Sequence, residues 1–109
     1  MVERLAVMMT TCGSPEEAER LARLLVEKHL AACVAIGPSQ RSIYPWEGRI
    51  EVDEEVPLLI KTARERLDDL KQTLETHHPY DVPEGLVLSV DDGLEDYLAW
   101  ARGWLQIES

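Results

Sequence analysis

The fold is decided by the stretch RIEVDEEVPLLIKT, residues 49–62. Its apolar side chains alternate with charged ones, so that one side of an extended chain carries Ile50, Val52, Val56, Leu58 and Ile60. Alternation with a period of two over this distance predicts a β-strand, with Glu54 and Leu59 as exceptions. Pro57 has no N–H to give to a sheet ladder. The sequence therefore predicts a bulge or an edge position at Pro57.

The length of this strand sets it apart from an ordinary core strand. Fourteen residues extend about 45 Å at ~3.3 Å per residue, whereas a domain of this size has a diameter of about 35 Å. We therefore predict that the hairpin turned at Glu47-Gly48 projects beyond its domain or bends sharply at Pro57. A projecting hairpin exposes an apolar patch that another chain must cover. This patch, and with it an oligomer interface, is predicted at Ile43, Tyr44, Trp46, Ile50 and Val52.

Strand and helix signals alternate in the preceding part of the chain. Residues 2–10 form an apolar run typical of a strand. Ser14, Pro15 and Glu17 then provide an N-cap, a first-turn proline and a capping box, which predict a helix to about residue 29. Its apolar face carries Ala18, Leu21, Ala22 and Leu25. A buried strand is predicted over residues 31–36, because this apolar run ends at Gly37-Pro38.

The rest of the chain completes the pattern. Residues 40–46 read as extended, and residues 65–76 as a helix with an apolar stripe, ended by Pro79. A short strand is predicted over residues 86–90, followed by an amphipathic C-terminal helix. The order is β-α-β-β-α-β plus that helix. It predicts one α+β domain over residues 1–109, a ferredoxin-like split βαβ fold with an antiparallel sheet and two helices on one face.

Composition narrows the class of protein. The 109 residues include 21 acidic and 11 basic side chains, a net charge of −10. This charge argues against nucleic acid or an anionic membrane as a partner and is compatible with cations or with simple solubility. Only five apolar residues, 5–9, follow the N-terminus, fewer than a signal peptide needs. With two cysteines and no apolar span of about 20 residues, we expect a cytoplasmic protein with free thiols.

The sharpest polar cluster is His77-His78-Pro79, followed by Asp81 and Glu84. Imidazole is a good ligand for copper, zinc or nickel, and Glu84 or Asp81 can add an oxygen. The sequence therefore makes His77 and His78 the metal candidates, with Glu84 weaker. The alternative hypothesis is structural: His78 caps the last helix carbonyls while the prolines stiffen the turn.

The two cysteines are predicted to differ. Cys33 lies within an apolar strand and is expected to be an inert core residue. Cys12 lies at a strand-to-helix junction beside Gly13, where we expect it to be more exposed and able to offer a thiolate. Cys12 is thus a second weaker metal candidate beside the two histidines.

Patterns of catalysis are lacking in this sequence. It contains neither a P-loop nor G-x-G-x-x-G, and no G-x-S-x-G. The carboxylates of residues 51–55 lack the register of an EF-hand and are predicted to lie mostly on a solvated strand face. The three tryptophans fit interface or core packing better than base stacking. No catalytic residue and no organic cofactor are predicted.

Five short blocks occur together in one order: LAACV at residues 30–34, SIY and WEG at 42–48, IKT at 60–62, HPY and PE at 78–84, and YLAW at 97–100. In this order and spacing they resemble the CutA divalent-cation-tolerance family over about residues 30–100. The resemblance implies a ferredoxin-like domain that forms a homotrimer through its long strands and the Tyr44–Trp46 hairpin. It also implies a response to divalent cations, copper above all, without catalysis.

The resemblance also bears on the site. His77 and His78 match the paired histidines associated with copper in some members, so Cu²⁺, or Zn²⁺, is the implied metal. A first-strand cysteine that those members also use falls, by register from Cys33, on Thr10, two residues from Cys12. The family is similar in architecture to the PII signalling proteins. This implies an alternative, a signalling or scaffold module that binds a small ligand or a protein partner at clefts between subunits.

Overall fold

The computed structural model describes residues 4–107. In chain order the elements are β1 (Leu5–Cys12), α1 (Pro15–Glu27), β2 (Cys33–Ile36), β3 (Gln40–Trp46), β4 (Arg49–Ala63), α2 (Leu67–His77, after a 3-10 turn at Arg64–Arg66), β5 (Leu86–Ser89) and α3 (Glu95–Trp104). The predicted ferredoxin-like α+β fold is confirmed, with β2 and β3 together in the place of its second strand.

The strands form one antiparallel sheet in the order β2-β4-β1-β5, with β3 also paired to β4. One face of this sheet packs against α1 and α2, in a core that includes Met8, Leu58 and Ile60 of the strands and Leu21 and Leu70 of the helices. The capping predicted for α1 is confirmed, because the Ser14 side chain accepts a hydrogen bond from the Glu17 amide at 3.2 Å. The core therefore lies between α1, α2 and one face of the sheet. Neither of these two helices covers the other face.

The sequence predicted a bulge or an edge position at Pro57, and the structure has a bulge opposite Pro57, in the segment between β2 and β3 rather than in β4. β2 pairs with β4 as far as Ile36 opposite Leu58, and β3 resumes at Gln40 opposite Glu55. Three residues, 37–39, thus lie opposite two, 56 and 57, and the Gly37 amide donates to the Pro57 carbonyl at 3.0 Å. An extra residue in one strand bends a ladder and increases its twist. The bulge marks the point where the hairpin leaves the rest of the sheet.

Beyond the bulge a two-stranded hairpin projects, which we call the arm: β3 and residues 49–55 of β4. Its turn, Glu47-Gly48, has positive φ at both positions, 49° and 78°, as a tight two-residue hairpin requires. The molecule measures 47 Å along its longest axis and 25 and 24 Å across. The predicted projection is confirmed, and Ile43, Ile50 and Val52 on the arm are exposed. The remaining strands and helices are called the body.

Several element boundaries differ from the sequence-based expectation: β2 begins at Cys33 rather than at residue 31, α2 spans Leu67–His77 rather than 65–76, and β5 ends at Ser89 rather than at residue 90. The ends of β1 and α1 differ as well. β1 continues to Cys12, two residues further than predicted, because its pairing with β4 extends to Val56. The predicted strand start at Val2 lies outside the described residues. α1 ends at Glu27 rather than at His29, since His29 takes a positive φ of 59°. Within residues 4–107, no helix has the length and hydropathy that a membrane crossing requires.

Candidate functional site

The paired histidines end α2 and point into different surroundings. His77 is exposed, whereas His78 is buried against the end of β1. The Nε2 atom of His78 lies 2.7 Å from the Thr11 carbonyl oxygen, and its Nδ1 atom lies 3.1 Å from the Tyr80 amide. An amide can only donate and a carbonyl can only accept, so Nδ1 is the acceptor and Nε2 carries the proton. Both ring nitrogens of His78 are thus engaged.

The same contacts test the alternative hypothesis, in which His78 caps the last carbonyls of α2. The His78 backbone amide donates to the Leu74 carbonyl at 2.8 Å and so caps α2. Its ring does not reach the helix carbonyls, because it bonds to the end of β1 instead. The ring therefore joins α2 and the loop after it to the sheet.

The expectation of an exposed Cys12 is wrong. Because β1 extends past Thr10, Cys12 falls on the same strand face as Met8 and is fully buried in the core. Burial, with the nearby charge of Glu17, raises the pKa of the Cys12 thiol to about 11. Cys33, predicted to be a core residue, is only half-buried. A buried thiol with this pKa offers no thiolate near neutral pH.

No complete metal cluster accompanies the histidines. Among residues 4–107, no group of three or more His, Cys, Asp or Glu side chains could hold a metal ion. Thr10, the position implied by the family register, is buried in the sheet. The pairing of His77 with His78 as metal ligands stays a prediction, with Glu84 as the weaker candidate.

A cleft of about 620 Å³ lies between the arm and the loop after α2. Five carboxylates line it: Asp53, Glu54, Glu55, Asp81 and Glu84. Three aromatic side chains, Tyr44, Trp46 and Tyr80, also line it, and none of its described lining residues is basic. We call this feature the acidic cleft. Most of the carboxylates of residues 51–55 that were expected on a solvated face therefore form one wall of a cavity.

Pairing within the arm places the side chains of that wall. Ser42 lies opposite Asp53, and Tyr44 lies opposite Glu51. Alternation therefore puts Ser42, Tyr44 and Asp53 on one face of the hairpin, and Ile43 and Val52 on the other. The period-two pattern of residues 40–46 and 49–55 was the signal that could have revealed a polar and aromatic arm face.

Hydrogen bonds across the acidic cleft hold the arm to the body. The Glu55 Oε2 atom accepts from the Tyr80 hydroxyl at 3.0 Å and from the Thr11 hydroxyl at 3.1 Å. The Tyr44 hydroxyl donates to Asp53 within the arm. Hydroxyls are neutral donors, so these bonds satisfy carboxylate oxygens without cancelling their charge.

Burial, hydrogen bonds and neighbouring carboxylates raise several pKa values in the acidic cleft. Burial and the neighbouring Glu55 raise the pKa of Glu84. Burial and the hydrogen bond to Glu55 raise the pKa of Tyr80. The hydrogen bond to Asp53 raises the pKa of Tyr44 to about 12. Among residues 4–107, no ion pair joins the five cleft carboxylates to a lysine or an arginine. The acidic cleft is therefore an anionic site without an internal cation.

Comparison with known proteins agrees with this architecture. The family model of the CutA1 divalent ion tolerance protein matches residues 6–103. The chain belongs to the CutA1 family. A divalent-cation tolerance protein CutA of Pectobacterium atrosepticum is 45% identical over 97 residues, which cover 87% of this chain and 88% of that protein.

Solved structures of CutA proteins share the fold. The structure of CutA from Synechococcus elongatus has a TM-score of 0.91 at 39% identity and covers 95% of this chain and 92% of its own. A periplasmic divalent cation tolerance protein CutA from Archaeoglobus fulgidus has a TM-score of 0.89 at 34% identity, covering 93% of this chain and 98% of its own. The chain thus shares the fold of these CutA structures, and the family that it belongs to is named for divalent-cation tolerance.

Proposed function

We propose that this protein is a cytoplasmic homotrimer that responds to divalent cations by binding Cu²⁺, or Zn²⁺, at His77 and His78, with no catalytic step. Family membership and the net charge of −10 support a cationic partner. The two free cysteines support a reducing compartment. The relative described as periplasmic has the same fold, so the fold does not determine the compartment. The proposed compartment rests on the two free cysteines.

The orientation of the His78 ring is the observation that carries the metal proposal. Metal-binding histidines commonly donate their second ring N–H to a backbone carbonyl, which fixes the tautomer. His78 makes this bond through Nε2 to the Thr11 carbonyl. Its Nδ1 is then the ligand atom, and it must first release the Tyr80 amide. Breaking that bond costs about 1 kcal/mol. We therefore propose weak binding, with His77 as the exposed first ligand.

Calorimetric titration with Cu²⁺ tests this site. We expect His77→Ala and His78→Ala each to weaken binding by roughly tenfold, since each removes a ligand. His29→Gln is the matched control, because it removes the third histidine, which bonds to the Trp104 carbonyl and lies outside the proposed site. Binding should also weaken as the pH falls, because a protonated imidazole cannot coordinate a metal. Unchanged affinity in both alanine variants would refute the site.

Two exposed apolar surfaces support the trimer. One is the arm face with Ile43, Ile50 and Val52, and the other is the sheet face opposite α1 and α2, with Leu59, Leu86 and Leu88. Contiguous apolar surface of this kind marks an interface rather than a solvated face. Light scattering should therefore give three times the chain mass at micromolar concentration. A monomer under those conditions contradicts the proposal.

The acidic cleft supports a second function, a PII-like signalling or scaffold module with a small ligand. Its volume of about 620 Å³ falls within the range typical of small-molecule sites, ~300–1,000 Å³. Its position beside the arm would place it next to a partner subunit in the proposed trimer. A thermal-shift screen with metabolites tests this function. Stabilisation by a metabolite without any specific response to metals would favour it over the first.

A further inference from the structure

We propose that the acidic cleft binds a small organic cation, a molecule that carries an amine, amidine or guanidine group on a flat or apolar body. This inference rests on the second function proposed above, and it names the chemical class of the ligand. Its site is formed by the arm and the loop after α2, whereas the metal proposal rests on His77 and His78; Glu84, the weaker metal candidate, lines the cleft as well.

The charge of the acidic cleft determines the sign of the charge that its ligand should carry. Five carboxylates line the acidic cleft, and none of the basic residues among positions 4–107 lines it or pairs with them. Low-dielectric walls focus the potential of such charges into the cavity. Glu84 and Glu55 face the same space, close enough for Glu55 to disfavour the charged form of Glu84. A cation between them relieves this repulsion, whereas an anion adds to it.

The aromatic side chains of the cleft favour a ligand whose uncharged part is flat or apolar. Tyr44, Trp46 and Tyr80 line the cleft together with the carboxylates. The faces of Trp and Tyr rings attract organic cations through their quadrupoles and also cover apolar surface. Carboxylates beside aromatic rings therefore match a molecule with a charged end and a flat or apolar body.

The dimensions of the cleft favour an organic cation over a bare metal ion. A divalent ion needs several oxygens within about 2.0–2.6 Å of one point. Among the described residues, no cluster of His, Cys, Asp or Glu converges in this way. The carboxylates are instead spread around about 620 Å³. Such spacing suits hydrogen bonds and ion pairs to different parts of one molecule.

Three probes of the same size and ring separate charge from shape: benzamidinium, neutral benzamide and anionic benzoate. Binding to the assembled protein is measured by titration calorimetry and thermal shift, with a chelator present so that metals do not contribute. We expect benzamidinium to bind at least tenfold more tightly than benzamide, since it alone forms charge-assisted hydrogen bonds. Benzoate should produce no shift.

Glu84→Gln tests the location of the site. No hydrogen bond within residues 4–107 uses the Glu84 side chain, so the isosteric amide removes charge with little disturbance. We expect a loss of benzamidinium affinity of about fivefold to tenfold. Glu27→Gln, the matched control, removes an exposed carboxylate at the far end of α1 and should leave binding unchanged.

The outcomes distinguish this inference from the functions on which it builds. Equal binding of the three probes, lost in Glu84→Gln, would keep the cleft as a ligand site and overturn the preference for cations. Benzamidinium affinity that is the same in Glu84→Gln and Glu27→Gln would overturn the location. If no probe binds at millimolar concentration, the inference fails, while the ligand-binding function is decided by the metabolite screen.

Discussion

The arm and the body use the same face of the same strand in opposite ways. Along β4, Val56, Leu58 and Ile60 lie on one face beneath α1 and α2, and none is more than 3% exposed. Ile50 and Val52 continue this face into the arm, where they are 71% and 55% exposed. The alternation of apolar and polar residues is the same in both regions. The difference is that α1 and α2 cover this face of β4 in the body and do not cover it in the arm. The sequence of an amphipathic strand thus shows which of its faces is apolar. Whether that face is buried within a single chain depends on whether helices of the same chain pack over it.

The two regions also differ in what holds them together. The body has a packed apolar core between its sheet and helices. The arm is joined to it by the continuous strand β4, by the bulge at Gly37 and by the bonds of Glu55 to Tyr80 and Thr11. Apolar burial contributes far more to stability than a few hydrogen bonds with hydroxyls. The body should therefore be the stable unit, and the arm the part that responds to partners.

The largest expected effect comes from truncating β4 at its two ends. Ile60→Ala should lower the free energy of unfolding by about 2–5 kcal/mol, because it leaves a cavity in the core. Ile50→Ala changes the same side chain on the same strand face in the arm. Its effect should depend on protein concentration and vanish for the monomer. Urea unfolding at several concentrations measures both. Equal, concentration-independent losses would show that the arm is packed within its own chain.

Assembly provides the second test. Ile50→Lys places a charge in the apolar face of the arm, which the proposed trimer must bury at a cost of several kcal/mol. We expect light scattering to report a monomer at micromolar concentration, with an unchanged far-UV circular dichroism spectrum. Gln72→Lys, on the exposed surface of α2, makes the same change in charge and should leave the mass unaffected. If both variants keep the parent's mass, the arm face is not the interface.

A smaller effect is expected at the junction of the two regions. Tyr80→Phe removes the hydroxyl that donates to Glu55 and should cost about 1 kcal/mol. Amide hydrogen exchange in the arm should accelerate by about fivefold as its link to the body weakens. Tyr44→Phe is the matched control, because its hydroxyl bonds to Asp53 within the arm. Equal acceleration in both variants would mean that Tyr80 does not anchor the arm.

The local features of the arm and the body followed from the sequence, and the long-range ones did not. Proline chemistry at Pro57 and the length of residues 49–62 predicted the bulge and the projection. The burial of Cys12 did not follow, because β1 extends past Thr10 only through its pairing with Val56, far along the chain. The acidic cleft was not predicted from the sequence for the same reason. It joins Thr11, the arm and the loop at Tyr80–Glu84, which no single sequence window contains. The trimer stays a prediction.

The smallest effect concerns pH and compares one carboxylate from each region. In the body, burial opposes ionisation of Glu65. The hydrogen bond from Arg102 at 3.0 Å, a backbone hydrogen bond and the charges of Arg102 and Arg66 together outweigh it and lower the pKa of Glu65. Its stabilising contribution is therefore present above the unfolded pKa of about 4.3 and is lost as the pH falls. In the acidic cleft, burial and Glu55 raise the pKa of Glu84. Its contribution is present below the unfolded pKa and is lost as the pH rises through the folded pKa.

Comparing the parent with Glu84→Gln isolates the cleft, because Glu65 titrates in both proteins. From pH 4 to 7 the parent should lose stability relative to the variant, by less than about 0.5 kcal/mol because solvent screens Glu84. Unfolding curves across this range measure the difference. Saturating benzamidinium should reverse its sign, since a bound cation favours the ionised carboxylate. A difference that is independent of pH would mean that Glu84 and Glu55 do not repel each other. The cleft would then have no unbalanced charge for a cation to neutralise.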